Sequence, residues 1–392
     1  MSAAHYDAVI AGGGIVGAAC AVALARAGLH VAMVERDAIG SGATAAGMGH
    51  IVVMDDSEAQ FALTRHSQLL WQALAAHLRP AAEYEPCGTL WIAAGEEEMA
   101  EAARKLDYYS TRGVPCRLLS ASRLAAAEPN LRSGLAGALL VEQDAVVYPP
   151  AVALHLAQEA HALGASLIVG RSIVSMRAGI AVFDDGSSLT SPYLINATGA
   201  WAPELMPGLP VRKRKGHLVI TDRQPGFVRH QLVELGYLKS AHSVTADSVA
   251  FNVQPRKTGQ VLIGSSRQYG NENTSVDQHM LTAMLARAAA YMPALNRLPA
   301  IRVWTGFRAA TPDKLPLIGP SLADPTVWLA TGHEGLGITT SLGTAALIAA
   351  ALTGAAPAIP PDPYLPARFA AAQPEPIVVD QPIKETLCNG KA

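Results

Sequence analysis

Three glycines near the N-terminus, in Gly12-Gly-Gly14-Ile15-Val16-Gly17, are spaced as G-x-G-x-x-G. They stand between Tyr6–Ala11, an apolar run that reads as a buried strand, and an Ala-rich stretch that reads as a helix to about Arg26. Gly12 permits a tight turn, Gly14 lets a pyrophosphate approach the backbone, and Gly17 lets the helix pack on the strand. The helix N-terminus then offers free N–H groups to the phosphates. Glu35 closes the next strand-like run, Leu29–Glu35, where a carboxylate reaches the hydroxyls of an adenosine ribose. Turn, helix and Glu35 together predict a dinucleotide site.

Four further segments carry chemistry. Ser41-Gly-Ala43-Thr44-Ala-Ala-Gly47-Met48-Gly49 is a loop of small residues that lets the backbone lie along a long cofactor. Leu194-Ile-Asn-Ala197-Thr-Gly199-Ala-Trp201 is an apolar strand ending at a glycine. Thr305-Gly306-Phe-Arg308-Ala-Ala-Thr311-Pro-Asp313 places a guanidinium three residues before Thr-Pro-Asp. Such a group holds a carboxylate through two parallel hydrogen bonds, fixing orientation as well as affinity. Ala330-Thr-Gly332-His333-Glu-Gly335-Leu336-Gly337-Ile338-Thr339 is the last.

Together these segments resemble the glycine oxidase and D-amino acid dehydrogenase superfamily of FAD-dependent enzymes, over residues 6 to about 370. The loop at 330–340 is most similar to the catalytic β-type subunits of hydrogen cyanide synthase, opine oxidase and D-hydroxyproline dehydrogenase. Val261-Leu-Ile-Gly-Ser-Ser-Arg267 is similar to a strand of that subfamily. The resemblance implies FAD contacts from Gly12, Gly14, Ile15, Val16, Gly17, Glu35 and Arg36, and from Ala43, Thr44, Gly47 and Met48. It implies others from Val174 through its backbone, from Ala197, Gly199 and Trp201, and from Gly332, Gly335, Leu336, Gly337, Ile338 and Thr339.

Arg308 matches the carboxylate-binding arginine of glycine oxidase, with Met48 and His333 beside the substrate. His333 and His50 lie in cofactor-facing segments and are candidates to tune catalysis, against lining or structural roles. Glycine oxidase carries a second arginine in its Gly-His loop, where Gly335 stands here. The implied reaction is oxidation of the CH–NH bond of an amino acid or secondary amine bearing a carboxylate, with hydride passing from Cα to flavin N5. Proline-like, opine, glycine and D-amino acid substrates all present an amine beside a carboxylate.

Monomeric sarcosine oxidases place the cysteine that links their flavin five residues before Thr-Pro-Asp, and Gly306 stands there. The FAD is therefore expected to be non-covalent. Heterotetrameric sarcosine oxidase attaches FMN to a histidine before Asp-Ala-Val, where Gln143 precedes Asp144 here. The subfamily passes electrons to partner subunits, so an FMN or a [2Fe–2S] centre is expected only through or in another polypeptide. The alternatives are a stand-alone oxidase that reduces O₂ to H₂O₂, and a non-catalytic flavin-binding subunit. Arg308 argues against the last, because a buried cation facing flavin is costly without an anionic ligand.

Composition excludes other classes. The 392 residues carry 30 Lys and Arg against 32 Asp and Glu, a net charge of −2, with no domain-wide basic excess to bind nucleic acid. The densest basic run, Arg212–Lys215, reads as an exposed strand or loop face. Cys20, Cys87, Cys116 and Cys388 show no C-x-x-C spacing, so no zinc or iron–sulfur site is readable and a reduced, cytoplasmic chain is expected. The twelve histidines show no ligand spacing, and no metal is expected. Residues 8–25 and 335–361 carry no charge, but neither is a strongly apolar stretch of about 20 residues. No transmembrane segment or signal peptide is read; association with the inner face of the cell membrane stays open. Charged residues make up 16% of the chain, below the roughly 25% usual for globular proteins, which fits surface covered by a partner.

Elements must bring these groups together. Helices are expected at 57–78, from Glu96 to about Arg112, and at 149–163, 276–291 and 337–353. Strands are expected near 166–169, 172–177, 193–197, 218–221, 249–253 and 261–264, with a hairpin at Asp184-Asp-Gly186. The alternation predicts an α/β fold, α+β overall. A Rossmann-like FAD domain of the glutathione-reductase type (1–87, 146–212, 303–370) interleaves with a mainly antiparallel substrate domain (88–145, 213–302). Residues 371–392 form a patternless tail, read as a free end or an arm on a partner.

Overall fold

The computed structural model of the chain describes residues 5–236 and 247–372. The expected tail, with Cys388, lies almost wholly outside the described residues.

Two large sheets organise the molecule. The six-stranded sheet runs Leu317–Pro320, Val327–Thr331, Tyr193–Asn196, Ala8–Ala11, Val31–Glu35, Ser166–Val169. Its first pair is antiparallel and the rest are parallel. Strands in such a sheet are covered on both faces, which is why Ala8–Ala11 is an unbroken apolar run with every residue buried. Alternation sorts its side chains. Ala8 and Ile10 pack with the helices Ile15–Arg26, Pro149–Ala162 and Gly337–Thr353, while Val9 and Ala11 face the other way. There a three-stranded meander, Ile173–Arg177, Ile180–Phe183 and Ser188–Thr190, supplies Met176, Ala181 and Phe183. Each large apolar side chain so buried contributes roughly 1.5–3 kcal/mol.

The eight-stranded sheet runs Ala300–Ala310, Arg212–Thr221, Val261–Arg267, Ser248–Pro255, Gln231–Glu234, Thr89–Ala93, Gly137–Val141, Cys116–Ser120. It is antiparallel except where Gln231–Glu234 pairs with Thr89–Ala93. The helix Gln278–Tyr291 covers one face, with Tyr291 stacked on Phe251 at 4.7 Å between ring centroids. Asp277 caps this helix, its Oδ1 accepting from the N–H groups of His279 and Met280. Ala300–Ala310 runs unbroken across the expected boundary at 302/303, so one strand carries residues from the outer sheet edge to the cavity between the sheets.

Helix ends follow local chemistry. Ser57 caps Glu58–Ala75, Pro149 opens Pro149–Ala162, and Gly354, at φ +73°, closes Gly337–Thr353. No helix among the described residues is long and apolar enough to cross a membrane. One expectation needs correction. The basic run 212–215 lies on a strand but is an exposed face only at its start: Arg212 is exposed, whereas Arg214 is 3% exposed and Lys215 is fully buried, because the strand Arg212–Thr221 lies inside the sheet. Phe369, near the end of the expected FAD domain, packs beneath the six-stranded sheet.

Candidate active site

Gly12 turns at φ +105°, and a Cβ there would stand 2.6 Å from the Ala197 carbonyl oxygen. Only glycine lets these two strand ends approach so closely. The helix Ile15–Arg26 begins beyond the turn. Its Ile15 N–H donates to Thr44 Oγ1 at 3.0 Å, tying the small-residue loop to the helix N-terminus. Glu35 is 8% exposed; its Oε2 accepts from Gly13 N–H at 2.7 Å and its Oε1 from Asp37 N–H at 2.8 Å. The carboxylate is thereby fixed at the strand end, beside the turn.

These groups open into a cavity of about 680 Å³ between the two sheets. Gly12, Gly14, Ile15, Val16, Glu35, Arg36, Ala43, Thr44, Gly47, Met48, Val174, Ala197, Gly199, Trp201, Gly335, Leu336, Gly337 and Ile338 all border it, as do His50, Arg308 and His333. Val174 is 53% exposed and is no core valine. Trp201 stacks its ring under the Arg36 guanidinium, 5.2 Å away. A row of backbone and small residues, a fixed carboxylate and a helix N-terminus converge on one long cavity, which fits a flavin dinucleotide.

Gly17, Gly332 and Thr339 do not border the cavity, and each has a task behind the wall. A Cβ on Gly17 would collide with the Gly12 carbonyl. Gly332 turns at φ +79° with Thr311 pressed against it, where a Cβ would lie 2.6 Å from the Thr311 methyl. The Thr339 hydroxyl donates to the His50 carbonyl at 3.0 Å and accepts from Val52 N–H. At Gly306 a Cβ would collide with Ala46, so the position leaves no room for a cysteine side chain.

Arg308 reaches across Gly216 to the adjacent strands, donating from Nη1 to the Ser266 carbonyl at 2.9 Å. A Cβ on Gly216 would stand 2.5 Å from that Nη1, so the glycine clears the path. The two carboxylates near Arg308 in the sequence pair elsewhere: Glu334 with Arg214 and Asp313 with Arg368. Burial, opposed by Glu334 and reinforced by Arg214, holds the Arg308 guanidinium below its ordinary value. His50 and His333 are pushed down to about 4, chiefly by burial, so both are neutral near pH 7. His333 Nε2 lies 2.9 Å from Thr344 Oγ1, so the loop residue is engaged with the helix Gly337–Thr353 that follows it. His50 Nδ1 is buried without a hydrogen-bond partner.

Several cavity residues escaped the sequence reading. Arg214 and Arg267 border the same cavity as Arg308, from three neighbouring strands. So do Trp91, Gln231, Asn252 and Ser265, each with a buried side-chain polar atom lacking a hydrogen-bond partner. Buried polar groups are ordinarily satisfied, so these atoms mark where a polar ligand would dock.

The fold and site define a flavin-dependent oxidoreductase. The DAO family of FAD dependent oxidoreductases matches residues 7–351, and the chain belongs to it. It is 29% identical over 360 residues to a glycine oxidase of Geobacillus kaustophilus (strain HTA426), covering 88% of this chain and 92% of that one. It is 28% identical over 426 residues to the hydrogen cyanide synthase subunit HcnC of Pseudomonas aeruginosa, covering 95% and 98%. The crystal structure of glycine oxidase from Geobacillus kaustophilus superposes with a TM-score of 0.83 at 27% identity, over 93% of this chain and 99% of that one. The protein is thus an FAD-dependent amine or amino acid oxidoreductase.

Proposed function

We propose that this chain oxidises the CH–NH bond of a carboxylate-bearing amino acid or secondary amine and passes the electrons to partner subunits. The observation that carries the reading is Arg308: a guanidinium drawn into the cavity that the glycine turn opens, with Nη1 fixed on Ser266. Its carboxylate anchor would set the substrate's amine and Cα–H in one orientation. The chemistry FAD supplies when bound is acceptance of a hydride equivalent. The turn at Gly12 and Gly14, Thr44, Glu35 and the 335–338 loop would hold it without a covalent bond. His50, neutral, would hydrogen-bond rather than hold charge, so the amine must arrive deprotonated or lose its proton to water. Met48, buried beside Leu218, would form an apolar wall against the substrate.

Similarity to a hydrogen cyanide synthase subunit supports electron transfer to a partner. Similarity to glycine oxidases favours a second reading, direct reduction of O₂. The free thiols at Cys20, Cys87 and Cys116 support a cytoplasmic location. The test is Arg308→Met. Flavin reduction by substrate should slow, or its KM rise, by roughly two orders of magnitude, as loss of a charge-assisted pair implies, with FAD content unchanged. Wild-type rates in the variant would place the anchor elsewhere.

A further inference from the structure

The carbonyl that holds Arg308 lies where the sheet is irregular. The strands Arg212–Thr221 and Val261–Arg267 pair at Val219 with Ile263, and the chain meets itself again at Lys215 with Gln268. Between these points three residues, Gly216, His217 and Leu218, face four, Gly264, Ser265, Ser266 and Arg267. The extra residue makes a bulge, a device that re-aims groups beside a site. Within it the His217 N–H donates to the Ser266 hydroxyl at 2.9 Å, while the Ser266 carbonyl accepts from Arg308 Nη1.

A second bond holds the same hydroxyl. His217 and Ser266 are both fully buried. His217 Nε2 lies 3.0 Å from the Asp277 N–H and accepts from it. The neutral ring therefore carries its proton on Nδ1, which donates to Ser266 Oγ at 2.8 Å. Burial, then Lys215, holds this imidazole below its ordinary value, with Asp277 opposing and Arg308 adding, so it is neutral near pH 7. Asp277 is itself fixed: it caps Gln278–Tyr291, and its Oδ2 accepts from Gln268 Nε2 at 2.8 Å. The segment before it is strapped to the same strands. Asn273 Oδ1 accepts from Lys215 Nζ at 3.0 Å, and the Thr274 carbonyl from Thr305 Oγ1 at 2.7 Å.

A long arginine side chain loses rotamer freedom when it grips a carboxylate, and one already held in place loses less. Resting on the reading of Arg308 as the carboxylate anchor, we propose that Ser266 and His217 are positioning residues for it. Hydrogen bonds running from Asp277 through His217 to the Ser266 hydroxyl fix the carbonyl that orients the guanidinium. Neither Ser266 nor His217 borders the cavity, so both act through Arg308.

The test is calorimetric titration of the FAD-loaded protein with propionate, so it does not depend on turnover. Ser266→Ala should weaken propionate binding about tenfold, and Ser266→Thr, which keeps the hydroxyl, should stay within about twofold of the wild type. His217→Leu, which keeps the hydroxyl but removes its donor, should weaken binding about threefold or more. FAD affinity should hold in both Ser266 variants. Ser266→Ala binding within about twofold of wild type would overturn the proposal. So would a threonine variant as weak as the alanine one, or an equal loss of FAD affinity. The Ser266 pair decides alone if His217→Leu does not fold; wild-type affinity in a folded His217→Leu would overturn the proposal. Propionate binding lost in Arg308→Met but kept in Ser266→Ala would remove this proposal and leave the anchor. Binding unaltered in Arg308→Met would remove the anchor reading itself.

Discussion

Arg308 was legible because its neighbours Thr311, Pro312 and Asp313 fix its place in a motif. Arg214 and Arg267 were not. Each sits in a strand whose partners are distant in sequence, and only the register across the sheet brings Arg214 opposite Arg308. A run of four basic residues reads as a solvated face unless that register is known. The neutral histidines carry a consequence for pH. With both His50 and His333 at about 4, the rate of flavin reduction should show no histidine inflection near pH 6.5, only the substrate amine's own ionisation. Stopped-flow reduction across pH checks this; an inflection there that His50→Asn removes would make His50 a base. Stability follows the same shifts. An unfolded chain protonates these imidazoles from about pH 6.5 downward, whereas the folded one resists until about 4. Their contribution is complete above 6.5 and is lost as pH falls towards 4, so thermal melting should move down through that window.

At the scale of elements, two contacts hold the cavity wall. The short helix Ala43–Ala46 lies against the strand Ala300–Ala310 at Gly306. Gly306→Ala should push it aside and weaken FAD retention by about tenfold or more, an overpacking effect of roughly 1–3 kcal/mol; fluorescence titration of the apoprotein with FAD measures it. Unchanged affinity would mean that the loop yields freely. Asp144 joins the segment 52–54 to the helix Glu58–Ala75, its Oδ1 accepting from Val53 N–H at 3.3 Å and Gln68 Nε2 at 2.8 Å. Burial pushes its carboxyl up to about 8. A raised acid stabilises the fold at low pH and loses that contribution as pH rises through the window from 3.8 to 8. Asp144→Asn, which keeps the acceptor, should therefore gain stability over the wild type as pH rises from about 5 to about 8; a melting difference constant in pH would contradict the shift. The helix expected at 57–78 is the shorter Glu58–Ala75, with no glycine to mark its end, whereas the helix Gly337–Thr353 was readable because Gly354 ends it and its sequence is apolar and uncharged. The strand Ala300–Ala310 was not, because one strand serves both the outer sheet and the site.

At the scale of the whole molecule, two large sheets flank the site cavity among the described residues, and the sequence conveyed the alternation but not how far a strand carries across it. The proposal that the chain works beside partner subunits rests on its low charge and on its likeness to HcnC. Affinity purification from native cells should recover a subunit with a second nucleotide site or a [2Fe–2S] centre, and the isolated chain should make peroxide slowly. Rapid peroxide production with no partner recovered would favour the stand-alone oxidase. The central claim is that a carboxylate held by Arg308 delivers an amine for oxidation. The most direct measurement is anaerobic titration of the FAD-loaded chain with carboxylated amines and with their methyl esters, following the flavin's visible absorbance. The expected result is bleaching by at least one acid and, for its ester, reduction slower by about a hundredfold, with the difference gone in Arg308→Met. Bleaching by ester and acid at equal rates, or by neither, would contradict the account.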